Sequence, residues 1–280
     1  MSTWNWSKSL LFAAVVCGFY WTLAIAGSFG PQIELSIPGI NFAIGSRFIL
    51  VMAAALLPAI TCFILFSDVR ESFKKLKAPW YVYLLALGIG LGLPFTSYFG
   101  SRYASFPWND AARLTLVRVL VLNLLLSPLW EEIIWRGCFL KKLTSFVSKP
   151  RSLVVSSLAW TVWHGGFIGY LYSVGLPVRV LLVLPLLYFF MGIILGTLFE
   201  ISARSLWPCV LLHAGFDAAT TVYYTTYDRA SELSSYVAEL IIAAILATIF
   251  YLIAVRRQTP RLHDTDVEAR FGHAPHGVDR

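Results

Sequence analysis

Charge is scarce in this chain of 280 residues, and side chains that commonly serve catalysis are correspondingly few. Only 13% of the residues are Asp, Glu, Lys or Arg, with 15 acidic residues, five histidines and four cysteines. The cysteines are scattered singly, without the close pairs that zinc or redox sites use. The sequence also contains no phosphate-binding loop, dinucleotide fingerprint, His-Glu-x-x-His or Gly-x-Ser-x-Gly. These absences argue against nucleotide-binding, zincin and serine-hydrolase chemistry.

Apolar sequence is abundant instead. Hydrophobic residues make up 58% of the chain and aromatic residues 15%, and the mean hydropathy is +0.71, which departs from the composition of soluble domains. Windows of about 20 apolar residues predict an all-α, polytopic bundle of about eight transmembrane helices. The predicted spans are Leu10–Phe29, Ile44–Phe66, Trp80–Gly100, Leu114–Trp135, Leu153–Tyr172, Val180–Phe199, Leu206–Tyr224 and Tyr236–Val255.

The lysines and arginines indicate how these helices are oriented, since cytoplasmic loops carry an excess of both. Most of the 22 fall on one side of the predicted bundle, and the other side holds only Arg47, Arg102, Arg113, Arg179 and Arg229. We therefore expect an integral membrane protein with both termini in the cytoplasm. In a bacterium, this membrane would be the inner or plasma membrane. The net charge of +7 is explained by basic loops beside anionic lipid headgroups, so no nucleic-acid partner is expected.

Composition divides the chain into three parts. Residues 1–112 hold the first three predicted helices and their connectors, residues 113–255 hold the spans with polar residues, and residues 256–280 form a polar tail expected to be disordered and cytoplasmic. In the first span, Lys8 and Ala24-Ile25-Ala26 resemble a secretory signal with its cleavage site. We expect an uncleaved helix, because this apolar stretch is long enough to span a membrane.

Two adjacent acids and an arginine, Glu131, Glu132 and Arg136, follow the apolar run of the fourth predicted span. A charged side chain near the bilayer centre costs about 2.5–3.5 kcal/mol, so such residues usually pair internally and mark a site. On a helix Glu132 and Arg136 stand four residues apart and can form an ion pair, whereas Glu131 is turned away from them. Such an ion pair could stabilise the helix alone, or it could also position the groups of a catalytic site. Glu131 has no local partner, which favours a chemical role.

The later spans carry His164, His213 and Asp217. His213 and Asp217 are four residues apart and point from one helix face. With a rise of about 1.5 Å per residue, three helices bring their polar groups to a level about 13–20 Å below the basic surface. We therefore expect Glu131, His164 and His213 to meet in one cluster inside the bilayer.

Such a cluster suits the activation of water. A buried glutamate can take a proton from water, one histidine can hold the water or protonate a leaving amine, and the other can stabilise an oxyanion. Alternatively, Glu131, His164 and His213 can bind a divalent metal such as zinc, which would lower the pKa of a bound water. The residue pattern leaves both mechanisms open.

Three motifs, in this order, resemble those of the CPBP family of intramembrane proteases, which includes CAAX prenyl proteases and bacterial members associated with bacteriocin self-immunity. The motifs are Glu131-Glu132-x-x-x-Arg136, Trp160-x-x-x-His164 and His213-x-x-x-Asp217, with Gly192-x-x-x-Gly196 and Ser205-Leu-Trp-Pro208 before the last. The resemblance covers about Leu114–Ala219 and implies that residues 113–255 form the catalytic core. It implies that Glu131 is the general base for water and that His164 works with it. It further implies that Glu132 and Arg136 shape the site and that His213 and Asp217 stabilise the oxyanion.

Two positions depart from the family pattern. The aromatic residue of the second motif is usually Phe and is Trp160 here, and the last position is commonly Asn and is Asp217 here. An aspartate replaces an amide donor by an anion, so Asp217 can act as an oxyanion donor only if it is protonated; otherwise it orients His213. Family members have been described both as metalloproteases and as metal-free glutamate proteases.

The sequence therefore predicts an intramembrane endopeptidase that cleaves a membrane-associated peptide or protein from a wet cavity opening toward the cytoplasmic side, in contact with membrane lipids. The alternative is a non-catalytic membrane immunity or assembly factor that retains the polar cluster as a structural core. A transporter with a proton relay ranks third, because no matching inverted half with broken helices is present.

Overall fold

The computed structural model describes residues 4–29, 35–37, 40–44, 46–99, 110–173, 175–227 and 233–256, and side-chain burial over 4–26, 50, 52–96, 113–173, 175–222 and 233–256. Over these residues the chain is almost entirely helical, and helices lie at all eight predicted positions. In chain order they are α1 (Trp6–Phe29), α2 (Ser46–Leu65), α3 (Ser67–Lys74), α4 (Trp80–Phe99), α5 (Asp110–Leu125), α6 (Ser127–Glu132), a π-helix (Ile133–Leu140), α7 (Lys141–Leu143), α8 (Lys149–Trp163), α9 (Gly165–Ser173), α10 (Val178–Leu181), α11 (Leu184–Ile201), α12 (Trp207–Tyr227) and α13 (Leu233–Arg256). The predicted disordered tail beyond Arg256 lies outside the described residues.

The predicted all-α class is confirmed, and a short hairpin accompanies the helices. Strands β1 (Leu35–Ile37) and β2 (Ile40–Ile44) pair antiparallel between α1 and α2, with Leu35 opposite Ile44 and Ile37 opposite Ile40. In the sequence, Pro38-Gly39 is a turn dipeptide between two runs rich in isoleucine, a pattern typical of hairpins. Ile44, predicted as the first residue of the second span, therefore belongs to a strand.

The predicted count of about eight spans is not confirmed. Among the described residues, four segments are long and apolar enough to cross a membrane: Trp6–Ala26, Arg113–Leu143, Val178–Ile201 and Leu233–Arg256. A fifth is obtained if Met52–Leu65 and Ser67–Lys74, which meet at 103°, are counted as one span. The fifth predicted span is interrupted at His164, between α8 and α9. These helices are those of an integral membrane protein.

Small residues allow the helices that carry the polar motifs to approach closely. A Cβ atom added at Gly192 of α11 would lie 2.8 Å from the Cβ of Ser157 in α8, which is too close for any larger residue. A Cβ at Gly90 of α4 would meet the backbone carbonyl of Leu212, the neighbour of His213 in α12. Close approach at glycine is common between membrane helices, and here it fixes α8 and α12 against the rest of the bundle.

Helix α3 forms hydrogen bonds at the end of the bundle that carries most of the lysines and arginines, which we call the basic end. Lys142 Nζ lies 2.9 Å from Asp68 Oδ2, and Lys141 Nζ donates to the Asp68 carbonyl at 2.6 Å. From the other side, Trp207 Nε1 donates to the Phe73 carbonyl at 2.8 Å. These bonds tie the chain after Glu131 and the start of α12 to one connector.

Candidate active site

Glu131 lies in the last turn of α6, where the chain passes from α-helix into the π-helix. The Ser127 hydroxyl, one turn earlier, donates to Oε1 at 2.5 Å, and Trp160 Nε1 of α8 donates to Oε2 at 3.2 Å. π-Helical segments are frequent at functional sites. The carboxylate is buried and its two oxygens are held from two different helices.

His164 directs one ring nitrogen toward this carboxylate. Its Nδ1 lies 2.8 Å from the Trp160 carbonyl, which can only accept, so the proton of the neutral ring is on Nδ1. Nε2 is then an acceptor and lies 3.9 Å from Glu131 Oε2. The ring is also stacked on Tyr188, with centroids 4.1 Å apart and planes at 24°.

His213 approaches the same carboxylate oxygen from α12. Its Nε2 also lies 3.9 Å from Glu131 Oε2, and its Nδ1 lies 2.9 Å from Glu132 Oε1. A separation of 3.9 Å is too long for a direct hydrogen bond but short enough for a bridging water. The structure therefore brings the imidazoles of His164 and His213 to the same oxygen of Glu131, each at a distance that one water molecule can bridge.

Glu132 and Arg136 form a buried network below that position. Arg136 Nη1 lies 3.0 Å from Glu132 Oε1, the oxygen that also accepts from His213. The guanidinium carbon of Arg136 lies 4.6 Å from the centre of the Trp160 ring. The predicted ion pair is thus present, and it continues to an imidazole. Glu132 Oε2 has no hydrogen-bond partner among the described residues.

Asp217 stands at the edge of the cluster. Its Oδ2 lies 3.9 Å from His213 Nε2, and its side chain is 36% exposed, compared with 6% for Glu131. The direct partner of His213 is therefore Glu132, whereas the sequence had paired His213 with Asp217.

Glu131, His164, His213 and Asp217 line a cavity of about 320 Å³. On each contributing helix the cavity continues from the cluster away from the lysines and arginines of the basic end, as at Ser127 on α6, Phe167 on α9 and Thr220 on α12. The predicted opening toward the basic, cytoplasmic side does not agree with this placement. Toward the basic end the π-helix is buried along its whole length.

Three residues of the site were not identified from the sequence. Ser127 stands four residues before Glu131, so helical spacing could have indicated it. Tyr188 on α11 and Tyr20 on α1, which packs on Trp163 with centroids 4.1 Å apart, line the cavity from distant parts of the chain. No local pattern in the sequence indicates those two tyrosines.

Trp160→Phe tests the bond from the indole to Glu131. Phenylalanine keeps the aromatic packing but removes the donor to Oε2, so we expect the catalytic rate on a cleaved peptide to fall about three- to tenfold while the protein melts within a few degrees of wild type. Steady-state kinetics and a thermal melt in detergent measure both. An unchanged rate would mean that the indole bond does not position Glu131.

Glu131, His164 and His213, the residues proposed for a metal, lie farther apart than ideal tetrahedral zinc ligands. Atoms bound to one tetrahedral zinc ion lie about 3.3 Å apart, whereas both imidazole nitrogens lie 3.9 Å from Glu131 Oε2. Within the part of the chain that the structure describes, no group of three His, Cys, Asp or Glu side chains is arranged to hold a metal ion.

Comparison with known proteins supports the assignment of the family. No curated protein matches the chain. Residues 113–219 match the family model described as type II CAAX prenyl endopeptidase, Rce1-like, a family of membrane-embedded proteases. The match begins in α5 and ends in α12, so it includes every predicted site residue. The match therefore agrees with the family predicted from the three motifs, to which residues 113–219 are similar.

Proposed function

We propose that the protein is an intramembrane endopeptidase that hydrolyses a peptide bond in a membrane-associated peptide or protein. The observation that carries the proposal is the position of Glu131 Oε2, 3.9 Å from the Nε2 atoms of both His164 and His213 in a partly enclosed cavity. A water molecule beside Glu131 Oε2 can bridge to an imidazole nitrogen there. A carboxylate and an unprotonated imidazole nitrogen are suitable acceptors for its proton.

The reaction follows from these positions. Glu131 takes a proton from the water, and the water oxygen forms a bond to the carbonyl carbon of the substrate. His213, when protonated, donates Nε2–H to the resulting oxyanion, while Glu132 accepts from its Nδ1 and holds the ring in place. The carbon–nitrogen bond then breaks, and the leaving amine takes the proton that Glu131 had accepted.

The test is a comparison of membrane peptides from cells that contain wild type or Glu131→Gln at equal abundance. We expect at least one membrane-associated peptide to accumulate uncut with the variant. Glu71→Gln, on the exposed face of α3, is the matched control and should behave as wild type. Identical peptide profiles for wild type and Glu131→Gln would contradict the proposal and favour a non-catalytic membrane factor.

Asp217→Asn tests the position at which the chain departs from the family pattern. An amide can donate to the oxyanion without the negative charge, so we expect cleavage to stay within about threefold of wild type. Asp217→Leu, which has similar size and no polar group, should lose about tenfold or more. The measurement is kcat/KM on the same peptide for the three proteins. If Asn is as inactive as Leu, the negative charge of Asp217 is required.

A further inference from the structure

The cavity continues past the cluster to two polar side chains that the proposed chemistry does not use. Asn123 on α5 lies eight residues before Glu131, and Thr220 on α12 lies three residues after Asp217. Helices α5 and α12 are in contact with each other. The two side chains therefore lie on neighbouring walls, on the side of the cluster that faces away from the basic end.

The amide side chain of Asn123 lies in an apolar segment, where a polar group without a hydrogen bond costs free energy. Asn123 is the only polar residue in the run Val119–Leu126, within a segment apolar enough to span a membrane. An amide in such a segment is usually hydrogen-bonded to another helix. No hydrogen bond to the Asn123 amide is formed by the residues that the structure describes, and the side chain lines the cavity instead.

Thr220 is also unusual for a threonine in a helix. Such hydroxyls commonly donate to the carbonyl four residues earlier, as Thr161 does to Ser157 at 2.8 Å and Thr248 does to Ala244 at 2.8 Å. The buried hydroxyl of Thr220 has no hydrogen-bond partner among the described residues. Rotation about χ1 can turn it into the cavity without breaking a bond.

A peptide main chain fits these two groups. In an apolar environment each N–H and C=O of a substrate needs a partner, and an amide and a hydroxyl can each donate and accept. The wall on this side also includes the apolar side chains of Leu126, Phe167 and Phe216. We propose that Asn123 and Thr220 bind the main chain of the substrate beside the scissile bond, and that the cavity accepts apolar substrate side chains on that side. The inference rests on the proposed function.

Asn123→Leu and Thr220→Val, which keep shape but remove the hydrogen-bonding groups, test the proposal. The probe is an internally quenched, farnesylated CAAX peptide cleaved by the protein in proteoliposomes. We expect each substitution to raise KM about three- to tenfold with a smaller change in kcat, and Thr220→Ser to restore the wild-type KM. Thr248→Val, on the lipid-facing side of α13, is the matched control. Unchanged KM for both variants would overturn the inference.

A second measurement does not depend on turnover. Thr220→Cys in the Glu131→Gln background should react with N-ethylmaleimide, and the uncut peptide should slow the reaction at least threefold. The same background without Thr220→Cys reports on Cys17, Cys62, Cys138 and Cys209, which are buried. Labelling that the peptide does not slow would contradict binding at this wall. If Glu131→Gln cleaved the peptide as fast as wild type, the proposed function itself would fail, independently of the result at Thr220.

Discussion

Replacement of Glu131 by glutamine is expected to lower the rate of peptide cleavage by about 10²–10⁴-fold, the contribution typical of a general base. Glutamine has almost the same shape, and its amide can still accept a hydrogen bond from Ser127 or Trp160. It cannot take a proton from water. Because the substrate does not need the charge to bind, KM should change much less than kcat. Single-turnover cleavage of a membrane-associated peptide by the purified protein measures the effect on the chemical step.

Two further variants distinguish the contribution of the Glu131 carboxylate from that of the hydrogen bond that positions it. Glu131→Asp retains the carboxylate but shortens its reach toward His164 and His213, so we expect a smaller loss than with glutamine. Ser127→Ala removes only the hydroxyl that donates to Oε1 at 2.5 Å and should cost about three- to tenfold. A Glu131→Gln protein that folds, inserts and cleaves within threefold of wild type would refute the role assigned to Glu131.

Much of the candidate site could be predicted because it depends on helical spacing and depth. The ion pair of Glu132 with Arg136 follows from a spacing of four residues, and it is present. Counting residues from the basic ends placed Glu131, His164 and His213 at one level, and the structure brings them together. Both steps use only the rise and period of a helix, which the local sequence largely determines.

The remaining features depend on which helices are neighbours, and the sequence does not specify that locally. The bond from Trp160 to Glu131 and the stacking of Tyr188 on His164 join residues 24 or more positions apart. The link from His213 to Glu132 was missed for the same reason. Local irregularities were missed as well: a uniform helical period does not predict the π-helix after Glu132 or the interruption at His164. The direction in which the cavity extends depends on how the helices pack around the cluster, which the charge distribution does not determine.

Replacement of Arg136 by methionine is expected to lower both the stability of the protein and its cleavage activity. The Arg136 guanidinium is 2% exposed and pairs with a Glu132 side chain that is fully buried, so Arg136→Met leaves a carboxylate in an apolar interior without its main counter-charge. Removing one partner of a buried pair typically costs about 3–5 kcal/mol. We expect the free energy of unfolding in detergent to fall by that amount and cleavage to be lost. Equilibrium unfolding followed by tryptophan fluorescence measures the change.

The chain provides a matched control with the same spacing and chemistry. Arg204 pairs with Glu200, also four residues apart and at 3.1 Å, but the Arg204 side chain is 33% exposed, so Arg204→Met should cost less than about 1 kcal/mol. A double variant, Glu132→Leu with Arg136→Met, removes both buried charges. It should recover much of the stability, because an apolar pair of similar volume can replace a buried ion pair. It should not recover cleavage, since Nδ1 of His213 then has no carboxylate to hold the ring. If the double variant regained activity together with stability, Glu132 and Arg136 would serve the fold alone, and His213 would be positioned by its packing.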